Sequence, residues 1–191
     1  MSPILGIYAS QISGHLFAPS GAYDSIATAV GTGSSGTITF NSIPQTYTHL
    51  QLRYTGRNAR AVFADTVRMT INSDSGANYT YHGLYGVGAS ASAFGGTSLV
   101  TLPVGYVAGA SAAANIMGVG IIDILDYTNT SKNKTTRTLH GDDFNGSGDI
   151  ALFSGLWMST SAITSISVFS GTGANWTTTT QFALYGIKGG N

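Results

Sequence analysis

The chain has 191 residues, a formal net charge of zero and no cysteine, and all eight of its acidic residues are Asp. The absence of Cys excludes disulfides and thiolate metal sites. Charged residues make up only 8% of the chain, whereas 42% are hydrophobic. This composition argues against a disordered chain and against a nucleic-acid-binding surface. The absence of Glu and the abundance of Thr, Val, Ile, Tyr and Phe favour strands over surface helices. Because a neutral surface repels its own copies poorly, the composition also favours self-assembly.

The first 22 residues form a predicted N-terminal arm without Lys or Arg. A secretory signal needs a positively charged start, and a membrane span needs about 20 consecutive apolar residues. We therefore expect neither targeting nor membrane insertion from this segment. Its apolar residues are the candidate contacts of the arm: Ile4, Leu5, Ile7, Tyr8 and Ile12.

Residues 23–191 show the two-residue period of antiparallel strands, interrupted by Gly- and Ser-rich turns. The alternation is clearest in the segments 37–40, 48–55, 66–72 and 180–187. We expect about nine strands in one all-β domain, a two-sheet sandwich of jelly-roll type. Turns are predicted at 31–36, 72–78, 128–134, 141–149 and 170–175, the Gly-rich segment 83–90 is read as a loop, and 109–117 as a loop or strand entry.

One predicted strand, 116–125, is apolar on both faces. An antiparallel strand with one face in water should not show this pattern. Its outer face must therefore be covered by a loop, by the arm, or by a neighbouring subunit. We predict that it forms part of a subunit contact, made by Met117, Val119, Ile121 and Leu125.

The polar residues predict neither a catalytic nor a metal site. Asp142, Asp143 and Asp149 share a predicted loop, where Asp usually caps turns. His140 stands near them, but the sequence places no second His close by, so we expect no metal and no cofactor. The small basic clusters at 53–60 and 132–137 are typical of solvated turns in a neutral protein.

The aromatic residues could serve a binding surface. Trp157 lies in an apolar strand and is predicted to be in the core. Trp176, in a polar loop, is expected to be exposed, and with Tyr85 it is a candidate for stacking on a sugar ring.

Several segments together resemble a family of tailed-phage virion proteins, usually described as structural, tail or fibre proteins. They are SPILGIYAS, YDSIATAVGTGSSGTITFNSIPQTYTHLQLRYTGR, NSDSGANYTYHGLYG, GIIDILDYTNTSKNKTTRTLHG, SGLWMSTSAITSI and FALYGIKGG. The resemblance covers nearly the whole chain. It implies a compact β-sandwich, trimeric and displayed on the virion surface, with no catalytic residues to transfer.

We therefore expect a non-enzymatic virion subunit, a head-decoration or fibre protein that forms a homotrimer and docks onto a capsid or tail protein through its arm. An alternative for the arm is a first strand of the sandwich. The alternative function is a carbohydrate-binding module for a host-surface glycan. Neither reading includes nucleic-acid binding.

Overall fold

The computed structural model describes residues 21–189, and this part of the chain contains strands and loops but no helix. No segment of it forms a helix long and apolar enough to cross a membrane. The strands are β1 (Tyr23–Val30), β2 (Thr37–Phe40), β3 (His49–Gly56), β4 (Ala64–Ile71), β5 (Tyr79–Val87), β6 (Ser90–Leu99), β7 (Leu102–Ala108), β8 (Gly118–Leu125), β9 (Lys134–Asp143), β10 (Gly148–Trp157), β11 (Ile166–Ser170) and β12 (Gln181–Ile187).

The strands form two antiparallel sheets that pack against each other. The larger sheet has the order β1-β12-β3-β8-β9-β10-β5-β6, and the smaller one has the order β2-β11-β4-β7. Without β5, β6, β9 and β10, two four-stranded sheets remain, and the chain passes from one to the other at every connection except β4 to β7, which both lie in the smaller sheet. This is the eight-stranded, two-sheet pattern of a jelly roll. The predicted fold class is confirmed.

Two inserted hairpins raise the strand number above the expected nine. The hairpin β5–β6 lies between β4 and β7 in sequence, and β9–β10 lies between β8 and β11. Both join the larger sheet beyond β8 and lengthen it on one side. The segment 83–90, expected as a loop, is mostly strand, with a two-residue turn at Gly88 (φ 56°). Likewise, only residues 144–147 of the predicted turn 141–149 lie outside the strands.

The core is formed by the residues that the alternating sequence pattern predicted to be buried. Leu50 and Leu52 of β3 and Phe182 and Leu184 of β12 are fully buried between the sheets. Trp157 is also in the core, as predicted, and its indole N–H donates to the Asp74 carboxylate at 2.6 Å. The segment 109–117 is a loop.

Strand β9 inverts the usual pattern, because its inward side chains are all polar. They alternate with outward residues that include Leu139, which is 54% exposed. Lys134, expected in a solvated turn, is fully buried, and its ammonium donates to the carbonyl oxygens of Asn129, Lys132 and Thr160. Desolvation lowers the pKa of this amine. The inward residues are Lys134, Thr136, Thr138, His140 and Asp142.

Candidate contact surface

The outer face of the lengthened sheet carries a row of exposed aliphatic side chains. Ile121 of β8 pairs with Leu139 of β9, Leu139 pairs with Leu152 of β10, and Leu152 pairs with Leu84 of β5. Residues directly opposite each other in antiparallel strands point to the same face. The four side chains therefore form a continuous line, and they are 40%, 54%, 47% and 54% exposed in that order.

Two more aliphatic side chains widen this row. Val119 of β8 and Ile150 of β10 both pair with Gly141 of β9, two residues along that strand from Leu139. Their side chains are 49% and 61% exposed. Gly141 offers no side chain, so a shallow depression of about 360 Å³ forms there. We call the set the apolar band; it comprises Leu84, Val119, Ile121, Leu139, Ile150 and Leu152.

A polar row borders the apolar band. It lies two residues along the strands from Ile121 and Leu139, where Gln51 of β3 pairs with Asp123 of β8 and Asp123 pairs with Arg137 of β9. The Arg137 guanidinium donates to the Asp123 carboxylate at 2.8 Å, and the Gln51 amide donates to the same carboxylate at 2.7 Å. An apolar centre with a polar margin is the usual anatomy of a protein–protein contact.

The structure brings two of the four predicted contact residues into the apolar band, Val119 and Ile121. Leu125, 42% exposed, lies on the same face beyond the polar row. Met117 is half-buried in the loop before β8, where its sulfur accepts a hydrogen bond from Thr179. No loop among the described residues covers the outer face of β8. Of the three covers that the sequence allowed, the arm and a neighbouring subunit are left.

Sequence reasoning missed four members of the apolar band: Leu84, Leu139, Ile150 and Leu152. Leu84 and Leu139 stand in strands whose other outward residues are polar or Gly, whereas Ile150 and Leu152 share the outward face of β10 with Leu156. Only the pairing of β5, β8, β9 and β10 collects them on one face. A signal was available in β10, where Ile150, Leu152 and Leu156 alternate with the buried Ala151, Phe153 and Trp157, so that this strand, like β8, is apolar on both faces.

The predicted sugar-stacking residues are not arranged for that purpose. The expectation that Trp176 is exposed is wrong, because its side chain is fully buried with its ring edge-on to Phe182 at 5.2 Å between centroids. Tyr85 is half-buried and packs edge-on against Phe94, also at 5.2 Å. The predicted arm residues Ile4, Leu5, Ile7, Tyr8 and Ile12 lie outside the described residues.

Four of the aspartates are held in structural contacts. Asp65 accepts hydrogen bonds from Arg60, Asn58 and Ser170. Burial alone would raise the pKa of Asp65, but these hydrogen bonds outweigh it and hold the pKa below its ordinary value. Three further aspartates make comparable contacts: Asp74 with the indole of Trp157, Asp126 with Lys132, and Asp143 with the amide of Asn145.

Comparison of the chain with models of known protein families, with curated proteins and with solved structures finds no match. The jelly roll and the exposed apolar band are therefore the observations on which a functional proposal rests.

Proposed function

We propose that this chain is a non-enzymatic structural subunit of a tailed-phage virion, a head-decoration or fibre protein that associates with its own copies at the virion surface. The observation that carries the proposal is the apolar band. Large aliphatic side chains seldom lie together on an open sheet face unless another surface covers them. The sequence resemblance supplies the virion setting and the homotrimer.

A second copy of the chain is the occupant that the surface chemistry favours. The apolar band is aliphatic and nearly flat, which suits another protein surface. The formal net charge of zero means that copies approach without long-range repulsion. The bordering Asp123 and Arg137 carry opposite charges and are already paired, so burying them beside a partner separates no charges. Arg53, opposite Ile121, is held over the rings of Tyr23 and Tyr185.

A carbohydrate-binding module is the weaker proposal. Sugar rings stack on exposed aromatic faces, and of the two candidates Trp176 is buried while Tyr85 presents an edge to Phe94. The exposed residues of the apolar band are aliphatic, so assembly fits this surface better than sugar binding.

The N-terminal arm is proposed to dock onto a capsid or tail protein. The arm is apolar and uncharged, a composition that suits burial in a groove of another protein. This part of the proposal rests on the sequence alone.

Deletion of residues 1–20 tests the docking role of the arm. The truncated chain should keep the circular dichroism spectrum and cooperative melting of the full chain, because it retains all twelve described strands, from Tyr23 to Ile187. It should be lost from purified virions when the full-length gene is replaced. Incorporation of the truncated chain at the normal level would contradict the docking role.

A further inference from the structure

Three metal-binding side chains meet on the inner face of the β9–β10 hairpin. Asp142 and Asp149 are directly paired across the two strands, and His140 lies on the same face one step along β9. The Nε2 atom of His140 is 3.0 Å from Oδ1 of Asp149 and 3.7 Å from Oδ2 of Asp142. One ligand atom from each residue lies within 4.8 Å of the others.

The surroundings of His140 are compatible with the tautomer that a metal ligand needs, in which Nδ1 carries the proton and Nε2 the lone pair. The atom closest to Nδ1 is the carbonyl oxygen of Val119, at 3.1 Å, which can only accept a hydrogen bond. The Tyr54 hydroxyl, 3.3 Å from the same nitrogen, can accept its proton as well, and the Tyr106 amide, which can only donate, is farther away at 3.4 Å. A proton on Nδ1 leaves Nε2 as a ligand facing two carboxylates. Metal-binding histidines usually donate their second N–H to a backbone carbonyl in this way.

Asp142 supplies the second, independent observation. Its side chain is fully buried, and its Oδ2 atom has no hydrogen-bond partner among the described residues. Its other oxygen accepts the amide of Asp149 at 3.0 Å. A buried carboxylate oxygen without a partner is costly, and a cation between the three side chains would remove that cost.

We propose that Nε2 of His140, Oδ2 of Asp142 and Oδ1 of Asp149 bind a divalent first-row transition-metal ion, with Zn²⁺ as the best-fitting ion. Ligands about 2.0–2.1 Å from a tetrahedral zinc lie roughly 3.3 Å apart, and the separations of 3.0 Å and 3.7 Å bracket this value. One imidazole with two carboxylates suits such an ion better than Mg²⁺ or Ca²⁺, which prefer oxygen ligands only.

The site is reachable from outside and has a structural role. Asp142 and Asp149 both line two surface depressions of about 350 Å³ and 400 Å³, through which a hydrated ion enters and a water completes the coordination. The ion joins β9 to β10 at the base of their turn. It thereby stabilises the part of the sheet whose other face carries Leu139 and Ile150 of the apolar band. The sequence alone argued against a metal because no second His lies near His140, and it did not reveal that strand pairing places the Asp149 carboxylate against the His140 ring.

Titration of the EDTA-treated full chain with ZnCl₂, followed by calorimetry and thermal melting, tests the site. Saturable binding of one ion and a rise in Tm are expected for the wild-type chain, with no comparable effect of Mg²⁺ or Ca²⁺. Asp142→Asn and Asp149→Asn should each weaken Zn²⁺ binding by at least about tenfold. Asp143→Asn is the matched control, since this exposed neighbour only holds the turn and should bind as the wild type does.

Two readouts separate a metal site from a hydrogen-bonded cluster. Without zinc, Asp142→Asn should melt at a higher temperature than the wild type, because it removes the buried charge, yet it should lose the zinc-dependent rise. Co²⁺ added to the wild-type chain should give visible absorption bands that Zn²⁺ displaces, a measurement that needs no variant. The absence of saturable binding to the wild type, or equal zinc affinity in Asp142→Asn, would overturn the proposal.

Discussion

Asp65 shows how a single carboxylate links distant parts of this charge-poor chain. Its side chain is 1% exposed. It accepts hydrogen bonds from Asn58 at 2.7 Å, from Arg60 at 2.6 Å and from Ser170 of β11 at 2.7 Å. The carboxylate therefore ties the loop after β3 and the end of β11 to the start of β4.

Replacing Asp65 by Asn should destabilise the fold by about 2–3 kcal/mol. The NH₂ group of the new side chain would face the donors of Asn58, Arg60 or Ser170 and leave buried groups without a hydrogen bond. Chemical denaturation at pH 7 measures this loss. Asp24→Asn is the control, because its pair with Lys188 is a partly exposed surface contact and should matter by less than about 1 kcal/mol.

The difference between wild type and Asp65→Asn should depend on pH in a defined direction. The folded pKa of Asp65 lies below the ordinary value of 3.8, so its contribution to stability is complete above that pH and is lost as the pH falls through the folded pKa. The two proteins should therefore converge in acid. A gap that stays constant down to pH 2 would show that the charge of Asp65 does not matter.

Trp157 and Trp176 show which burial could be predicted from the sequence and which could not. The burial of Trp157 was predictable because its neighbours are apolar. The burial of Trp176 was not, because its polar neighbours belong to a loop that closes over the sandwich end and pairs with Asn58. The same holds for His140, whose partner Asp149 comes from the next strand.

At the scale of elements, the β5–β6 hairpin is held by an aromatic cluster. Phe94 of β6 lies opposite Gly83 of β5. The Phe94 ring contacts three other rings, with centroids at 5.7 Å for Tyr81, 5.2 Å for Tyr85 and 5.3 Å for Phe153 of β10. The glycine leaves the space that this ring occupies, since a Cβ on Gly83 would stand 2.3 Å from Phe94.

Gly83→Ala should therefore push Phe94 out of the cluster and destabilise the hairpin by about 1–3 kcal/mol. Hydrogen–deuterium exchange should speed up in β5 and β6 and stay unchanged in β1 and β12 at the far side of the sheet. Gly86→Ala on the same strand is the control, because its new methyl would meet Ile150 only at 3.7 Å. Equal exchange in both variants would contradict the role assigned to Gly83.

The elements that could be predicted are those with apolar inner faces, such as β2, β3, β4 and β12. The strands that the sequence analysis missed or predicted as turns do not show this apolar pattern. The inner face of β9 is polar. Carbonyls and neighbouring side chains pair with Lys134 and His140, whereas Oγ1 of Thr138 and Oδ2 of Asp142 have no hydrogen-bond partner among the described residues. Strands β5 and β6 are rich in Gly and Ser, residues that favour turns when they are judged alone.

At the scale of the whole molecule, the two inserted hairpins turn a jelly roll into a sandwich with one lengthened sheet. The extension buries aromatic rings on its inner face and exposes the apolar band on its outer face. The class of fold could be inferred from periodicity, but this surface could not, because Leu84 and Leu152 become neighbours only when strand order is known.

The apolar band predicts that the chain self-associates, and the mass in solution by light scattering tests this most directly. The full chain should be an oligomer, with three copies as the expected number. Leu139→Asp should be a monomer with an unchanged circular dichroism spectrum, because Leu139 is 54% exposed and its side chain supports no core contact that the fold needs. Val100→Asp, an equally exposed valine at 53% outside the apolar band, should remain an oligomer. A monomeric wild-type chain, or an oligomeric Leu139→Asp, would contradict the account.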